Sequence, residues 1–471
     1  MTAHTQKKTV VMGAGPAGLT CAYELARQQA QVSVIDEQAE PGGLCRTLRR
    51  KSYLFDIGGH RFLTHHPEIL ALWEKFLGED LLRVPRSSKI LFEGKTFEYP
   101  LSFLNALSGL GIPESLTCLL SYFASKRARH IDESNFEGWM VKRFGRRLFQ
   151  IFFESYTEKV WGIPCASISS DWARQRIQDL TLETMIRRAF LPRKPSGFKT
   201  LTREFLYPRL GPGQFFQRLH QETARLGAAF HLQCRVEKIH TGNTGIEGIS
   251  VRDHEGQEAF IPGDFFFSSI PISEFIRMME PQAPADIVQA SARLHFRSLI
   301  AVYLIFNIRD LFPEHWLYIH SPEVKLGRIQ NYKNWSPAMV PNFAQTSLGL
   351  EYFVDEGDAL WKTDNQALLQ MGLDELEHLG FKVKKHFVDG FVVRVPNTYP
   401  VYGPGYQEIL DELRRYMENF KNIQLMGRSG LFRYGNLDSA MMMGLRAARN
   451  FLANEKPLWT IEIPESADTP A

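Results

Sequence analysis

The sequence predicts an α/β chain, α+β overall: a Rossmann-like dinucleotide-binding front, a long helical stretch, and a strand-rich stretch. Three observations predict this. Residues 9–37, TVVMGAGPAGLTCAYELARQQAQVSVIDE, read as strand, tight glycine turn, helix and second strand. Residues 96–205 carry apolar positions at helical spacing, clearest in SNFEGWMVKRFGRRLFQIFFESYTEKVW. Residues 291–395 alternate more like strands, in LIAVYLIFNI, SLGLEYFV and VDGFVVRV. With 471 residues and 44% hydrophobic content, the chain is too long for one simple domain.

The front carries the most specific chemistry. Gly13, Gly15 and Gly18 supply GxGxxG: the first permits the tight turn, the second lets the backbone approach a pyrophosphate, the third packs helix on strand. The helix then presents its unpaired N–H groups to the phosphates. Asp36 closes the second strand, where a carboxylate can bind ribose hydroxyls. EPGGLCRTL follows with Gly42 and Gly43, and DIGGHRF with Gly58 and Gly59. Paired glycines strip side chains from a backbone that must approach a ligand.

Charge and cysteine content exclude several classes. Lys+Arg of 55 against Asp+Glu of 52 leaves +3, too close to neutral for a nucleic-acid scaffold held by bulk charge. The five cysteines form no CxxC and no Cys/His group at metal spacing, so neither a metal nor a disulfide framework is expected. The N-terminus shows no signal-peptide pattern, and LTCLLSYFA is too short to span a bilayer. The expectation is a cytoplasmic protein with no transmembrane segment. SKRARH (125–130) reads as a solvated helix end, and RRAFLPRKPSGFKTLTREF (187–205), which contains RKPSGFK, as a basic loop.

The arrangement PGGxxRT followed by GGH resembles the FAD-binding front of the flavin amine oxidase superfamily, which includes protoporphyrinogen oxidases and UDP-galactopyranose mutases. By that resemblance Arg46 lies along FAD and Gly58–His60 beside the flavin ring. NIQLMGRSGLFRYGNLDSAMMMGLRAARNF (422–451) resembles the second FAD contact, with a strand ending at Gly427 and a helix capped by Asn436 or Asp438. RVEKIH resembles the middle segment, placing Val236 near adenine. The FAD-binding domain is then discontinuous, built from residues 1–95, 206–290 and 396–455. A helical region at 96–205 and an antiparallel β-sheet substrate domain at 291–395 are inserted, and a tail covers 456–471.

YTEKVWG (156–162) resembles the mutases' nucleotide-binding element, making Phe152, Tyr156 and Trp161 the substrate platform. The same resemblance gives catalytic roles to His60 near the flavin, Arg176 and Arg297 on the diphosphate, Tyr332 on phosphate, and Arg428, Tyr434 and Asn436 at the flavin–sugar junction. Arginines suit a diphosphate through bidentate charge-assisted bonds, and aromatic faces hold a base by stacking. The implied activity is ring isomerisation of a nucleotide-diphospho-sugar, in which reduced FAD attacks the anomeric carbon through N5. An external reductant such as NAD(P)H and a homo-oligomer are compatible with it. Gly435–Asn436 stands where the mutases carry Tyr–Asp, so the sugar end departs from their pattern. The competing expectation on the same fold is an FAD-dependent oxidoreductase acting on an amine or a C–H bond.

Overall fold

The computed structural model describes residues 7–99, 101, 103–176, 181–184, 204–243, 245–455 and 457. A five-stranded parallel sheet runs Ile423–Leu425, Phe265–Ser268, Lys8–Met12, Gln31–Ile35, Ala229–His231. Its strands come from the start, middle and end of the chain. FFFS at 265–268 is buried at every position, as a parallel strand covered on both faces must be. Helices Pro16–Arg27 and Leu437–Leu452 cross closely, because Gly444 lies where a Cβ would come within 2.1 Å of the Ala17 carbonyl oxygen.

A seven-stranded sheet supplies the second half. Its order is Phe387–Pro400, Phe296–Phe306, Thr346–Val354, Arg328–Asn331, Trp316–Ile319, Ser88–Phe92, Lys95–Glu98. All neighbours are antiparallel except Ser88–Phe92 and Trp316–Ile319. This departs from the expected boundaries: residues 88–95, assigned by sequence to the cofactor domain, and 96–98, assigned to the helical region, extend the seven-stranded sheet, and the strand expected to stop at 395 continues to Pro400. Hydrogen bonding to neighbouring strands decides membership, and a lone strand does not reveal its neighbour.

The sheet's two faces differ. Leu317, Ile329, Leu350 and Val302 point into a core with Leu368, Leu369, Leu373 and Leu376 of helix Asn365–His378. The opposite face carries Trp316, Tyr318, Arg328, Gln330 and Glu351 towards the cofactor half. Successive strand side chains alternate faces, so one strand serves both. Helix Ser155–Trp161 lies against this sheet, and helices Ile112–Arg127 and Phe136–Phe144 pack against each other. Asn135 caps the second by accepting from the Gly138 N–H at 2.9 Å. A π-helical turn, Gln150–Glu154, leads into the third. No helix among the described residues is long and apolar enough to cross a membrane.

Candidate functional site

The cradle begins at the glycine turn. Gly13 has φ +104° and donates to the Ile35 carbonyl at 2.7 Å. A Cβ on Gly18 would sit 1.8 Å from the Gly13 oxygen, so only glycine fits. Helix Pro16–Arg27 starts behind Gly15 with no side-chain cap, leaving its first-turn N–H groups for a ligand. Gly43 faces Gly15 so closely that its Cβ would lie 3.0 Å from the Gly15 Cα. Gly42, with φ +115°, donates to Ala14 at 2.9 Å.

Asp36 behaves differently from a bare ribose ligand. Its carboxylate accepts from the Ala14 N–H at 2.6 Å and the Gln38 N–H at 2.8 Å, clamping the turn to the second strand. Burial raises its pKa despite those bonds. Arg46 is half-buried, and burial lowers its pKa while Asp36, Glu40 and Glu37 oppose the shift. Val236 is buried on strand Cys234–Gly242, whose first residue donates to the Asp36 carbonyl at 2.9 Å. Gly427, with φ +76°, packs so that a Cβ would meet Ala17 at 3.2 Å.

Helix Leu437–Leu452 also begins without a side-chain cap, so neither Asn436 nor Asp438 caps it as expected. Asn436 occupies the cap position in extended backbone, and Asp438 accepts from the Ser439 N–H at 2.8 Å within the first turn. FAD fits this cradle: two uncapped helix starts, a glycine turn with no room for side chains, and a facing pair of glycines. The turn and helix Pro16–Arg27 would hold the pyrophosphate, and helix Leu437–Leu452 the ring.

The Gly58–Gly59–His60 loop is fixed from below. Tyr332 and Tyr303 both donate to the Asp56 carbonyl, at 2.6 and 3.0 Å. The Asp56 carboxyl accepts from Thr47 Oγ1 at 2.9 Å and from Tyr207. Tyr332, expected on phosphate, therefore supports the loop from the core; its hydroxyl also fills the space above Gly349. Gly58 has φ +89°, and a Cβ on Gly59 would meet the Gln330 amide at 2.8 Å. His60 Nε2 donates to the Ile57 carbonyl at 2.7 Å, leaving Nδ1 towards the Cys45 thiol at 3.7 Å. Burial lowers its pKa to about 4, with Arg428 and Arg328 adding to the shift. At neutral pH it is an uncharged imidazole.

Above this loop lies a row set by strand register. Tyr318 pairs with Arg328, and Arg328 with Glu351. Arg328 Nη2 meets Glu351 Oε2 at 2.6 Å and donates to the Tyr399 hydroxyl at 2.9 Å. Its guanidinium covers the Phe353 ring at 5.0 Å. Arg328 Nε is buried with no hydrogen-bond partner among the described residues, and so is Gln330 Oε1. Buried polar atoms are normally paired, so this guanidinium nitrogen can still donate a hydrogen bond to an oxygen of water or a ligand. Sequence reasoning missed Arg328. The signal was RIQN, polar at 328 and 330 in a strand, putting both on one face.

Arg297, expected to clamp the diphosphate, is committed elsewhere. Nε donates to Val160 at 3.3 Å, Nη2 to Lys159 at 3.3 Å and Phe353 at 2.7 Å, and Nη1 pairs with Asp355 at 2.8 Å. It staples the end of helix Ser155–Trp161 to the sheet, and a Cβ on Gly162 would sit 2.5 Å from its guanidinium. Apolar flanks predicted burial correctly, but burial served packing.

The aromatics divide. Tyr156 stacks on His320 at 4.8 Å and meets Tyr318 edge-on at 5.4 Å. Trp161 meets Tyr399 and Tyr434 edge-on at 6.5 and 6.4 Å. Five residues apart, they point about 140° from each other around the helix, so they form two walls and no single platform. Phe152 is 2% exposed and packs edge-on against Phe97 at 5.0 Å, a core contact. Lys159 Nζ donates to the carbonyls of Ile319, Ser321 and Leu326. Tyr399 and Tyr434 stack at 5.8 Å, with Arg428 over both rings at 5.3 and 4.8 Å. Arg428 also holds the 433–436 loop, donating to Gly435 at 2.7 Å and Thr398 at 3.1 Å. Arg176 ends helix Ser170–Arg176; its side chain and the RKPSGFK stretch lie outside the described residues.

The sequence profile of the family described as flavin containing amine oxidoreductase matches residues 16–452. A probable UDP-galactopyranose mutase of Klebsiella pneumoniae is 20% identical over 97% of this chain and 99% of its own. A zeta-carotene-forming phytoene desaturase of Myxococcus xanthus is 26% identical, over 55% of this chain and about half of its own length, 53%. An L-amino-acid oxidase of Crotalus adamanteus is 39% identical over 15% of this chain and only 14% of its own. Among solved structures, a reduced UDP-galactopyranose mutase superposes with TM-score 0.80 at 21% identity, covering 95% of this chain and 94% of that one. A putrescine oxidase variant gives 0.62 at 15% identity over 96% and 99%. At these identities the superpositions show a shared fold.

Proposed function

Because the chain belongs to the flavin-containing amine oxidoreductase family, we propose that it is an FAD-dependent enzyme that isomerises a nucleotide-diphospho-sugar between ring forms. The observation that carries this reading is Arg328, a buried guanidinium beside Tyr318, Tyr399 and Phe353 whose Nε has no hydrogen-bond partner among the described residues. A planar, permanently charged fork suits a diphosphate leaving group. Reduced FAD, when bound, supplies a nucleophilic nitrogen for the sugar's anomeric carbon. The protein's part is to hold the sugar against Gly58–Gly59, exclude water with the Trp161–Tyr399–Tyr434 wall, and neutralise the departing diphosphate through Arg328 and Arg428. Neutral His60 donates no charge to that step. The whole-chain likeness to a mutase fold supports the reading. The substrate row lies on this chain's own strands, so the sugar and nucleotide are set there. An external reductant such as NAD(P)H would keep the flavin reduced.

The second reading, oxidation of an amine, has the stacked Tyr399–Tyr434 wall in its favour. Electrostatics favour the first: Arg428 lies over that wall with no carboxylate paired to it among the described residues, and a protonated amine there would meet a like charge. The test is anaerobic incubation of the photoreduced protein with UDP-galactose and then other nucleotide sugars, separating products by chromatography. A new ring isomer is expected. Arg328→Met should retain flavin and weaken UDP binding by about 10- to 100-fold, the value of a charge-assisted bond. Turnover of an amine with oxygen uptake, and no nucleotide sugar converted, would overturn the proposal.

A further inference from the structure

Helix Ile112–Arg127 has a buried inner face and an exposed apolar outer face. Its inner face buries Ser115, Cys118, Tyr122 and Ser125. Its outer face exposes Ile112 at 78%, Leu116 at 55%, Leu120 at 71% and Phe123 at 51%. These positions step by four, four and three residues, so they form one stripe about 16 Å long. A contiguous exposed apolar surface of this kind marks an interaction site.

The stripe ends in positive charge. Arg127 continues it by one further turn, and Arg129 and His130 follow. Arg127 and Arg129 make no hydrogen bond or ion pair among the described residues, whereas Lys126 pairs with Glu183. No acidic residue occurs between 115 and 131. The nearest acid on the helix, Glu114, is turned to Arg147 at 2.5 Å. We propose that this helix docks on an anionic lipid bilayer, with the stripe in the headgroup–acyl boundary and Arg127, Arg129 and His130 at lipid phosphates. A second copy of the chain matches the charge poorly. Antiparallel pairing of two stripes would bring Arg127 to the partner's Ile112 end, where the only acid is already engaged, and parallel pairing would oppose arginine to arginine. Residues 185–203 of this chain carry Arg187, Arg188, Arg193, Lys194, Lys199 and Arg203 with no acid, so their composition adds cations and no counter-charge.

The test pellets the full-length, flavin-loaded protein with vesicles of phosphatidylcholine, with and without phosphatidylserine. Binding is expected only with phosphatidylserine and should weaken with salt. Arg127→Gln/Arg129→Gln should lower partitioning about 30-fold, from about 1 kcal/mol per arginine near the surface. Leu116→Ser/Leu120→Ser/Phe123→Ser should lower it at least tenfold while flavin absorbance shows an intact fold. Absence of vesicle binding overturns the proposal. So does equal binding to both vesicle types, and so does a concentration-dependent dimer, abolished by the serine variant, in protein that ignores vesicles.

Discussion

Replacing Asp56 by asparagine should flatten the protein's loss of stability between acid and neutral pH. Asp56 is 1% exposed, and burial raises its pKa from 3.8 to about 7, against the lowering effect of Tyr207 and Thr47. The folded state thus keeps a proton that the unfolded chain releases. With more protons bound when folded, stability falls as pH rises. The contribution is fully present below the ordinary carboxylate pKa, declines from there to about pH 7, and is constant above. A shift of about three units corresponds to about 4 kcal/mol across the window, of which about 2 kcal/mol falls between pH 5 and 7. Asparagine cannot ionise, so wild type and Asp56→Asn should diverge in slope over that interval. Urea unfolding at saturating FAD and several pH values gives the two curves, and other titrating groups cancel in their difference. Parallel curves would refute the assignment of a protonated Asp56 at acid pH. Because Tyr303 and Tyr332 hang on the Asp56 carbonyl, flavin release should follow the same pH trend in wild type and not in the variant.

Gly18→Ala places a Cβ on the Gly13 carbonyl oxygen, and the purified variant should lack flavin absorbance. Arg297→Met should cost about 3–5 kcal/mol of stability by leaving Asp355 and three carbonyls without their buried partner; unchanged urea midpoints would return this arginine to the ligand site. His60→Gln should leave the pH profile of turnover unchanged from about pH 5.5 to 8, because a pKa lowered to about 4 keeps His60 neutral throughout. A lost inflection near pH 6.5 in the variant would show that His60 titrates.

The glycine turn was legible because its chemistry is local. Gly18 answers to a clash with the Gly13 carbonyl, and Gly13 to its own φ of +104°, both inside the turn; the space beside Gly13 and Gly15 is taken by Ser269 and Gly43 from farther along the chain. The strand and helix character of the three stretches was legible for the same reason, as periodicity is set by neighbours in sequence. What the substrate region does with its arginines was not legible. Arg297 and Arg328 both sit in strands with apolar neighbours. One is consumed by the end of a helix and Asp355; the other, opposite Glu351 and Tyr318, keeps one buried nitrogen without a partner among the described residues. Likewise Tyr156 and Trp161 read as a pair in sequence but point to different walls. The sequence by itself determined the nucleotide cradle. Only the tertiary structure decided which cations face the cleft, because a strand residue's face and partner are fixed by register with strands tens of residues away.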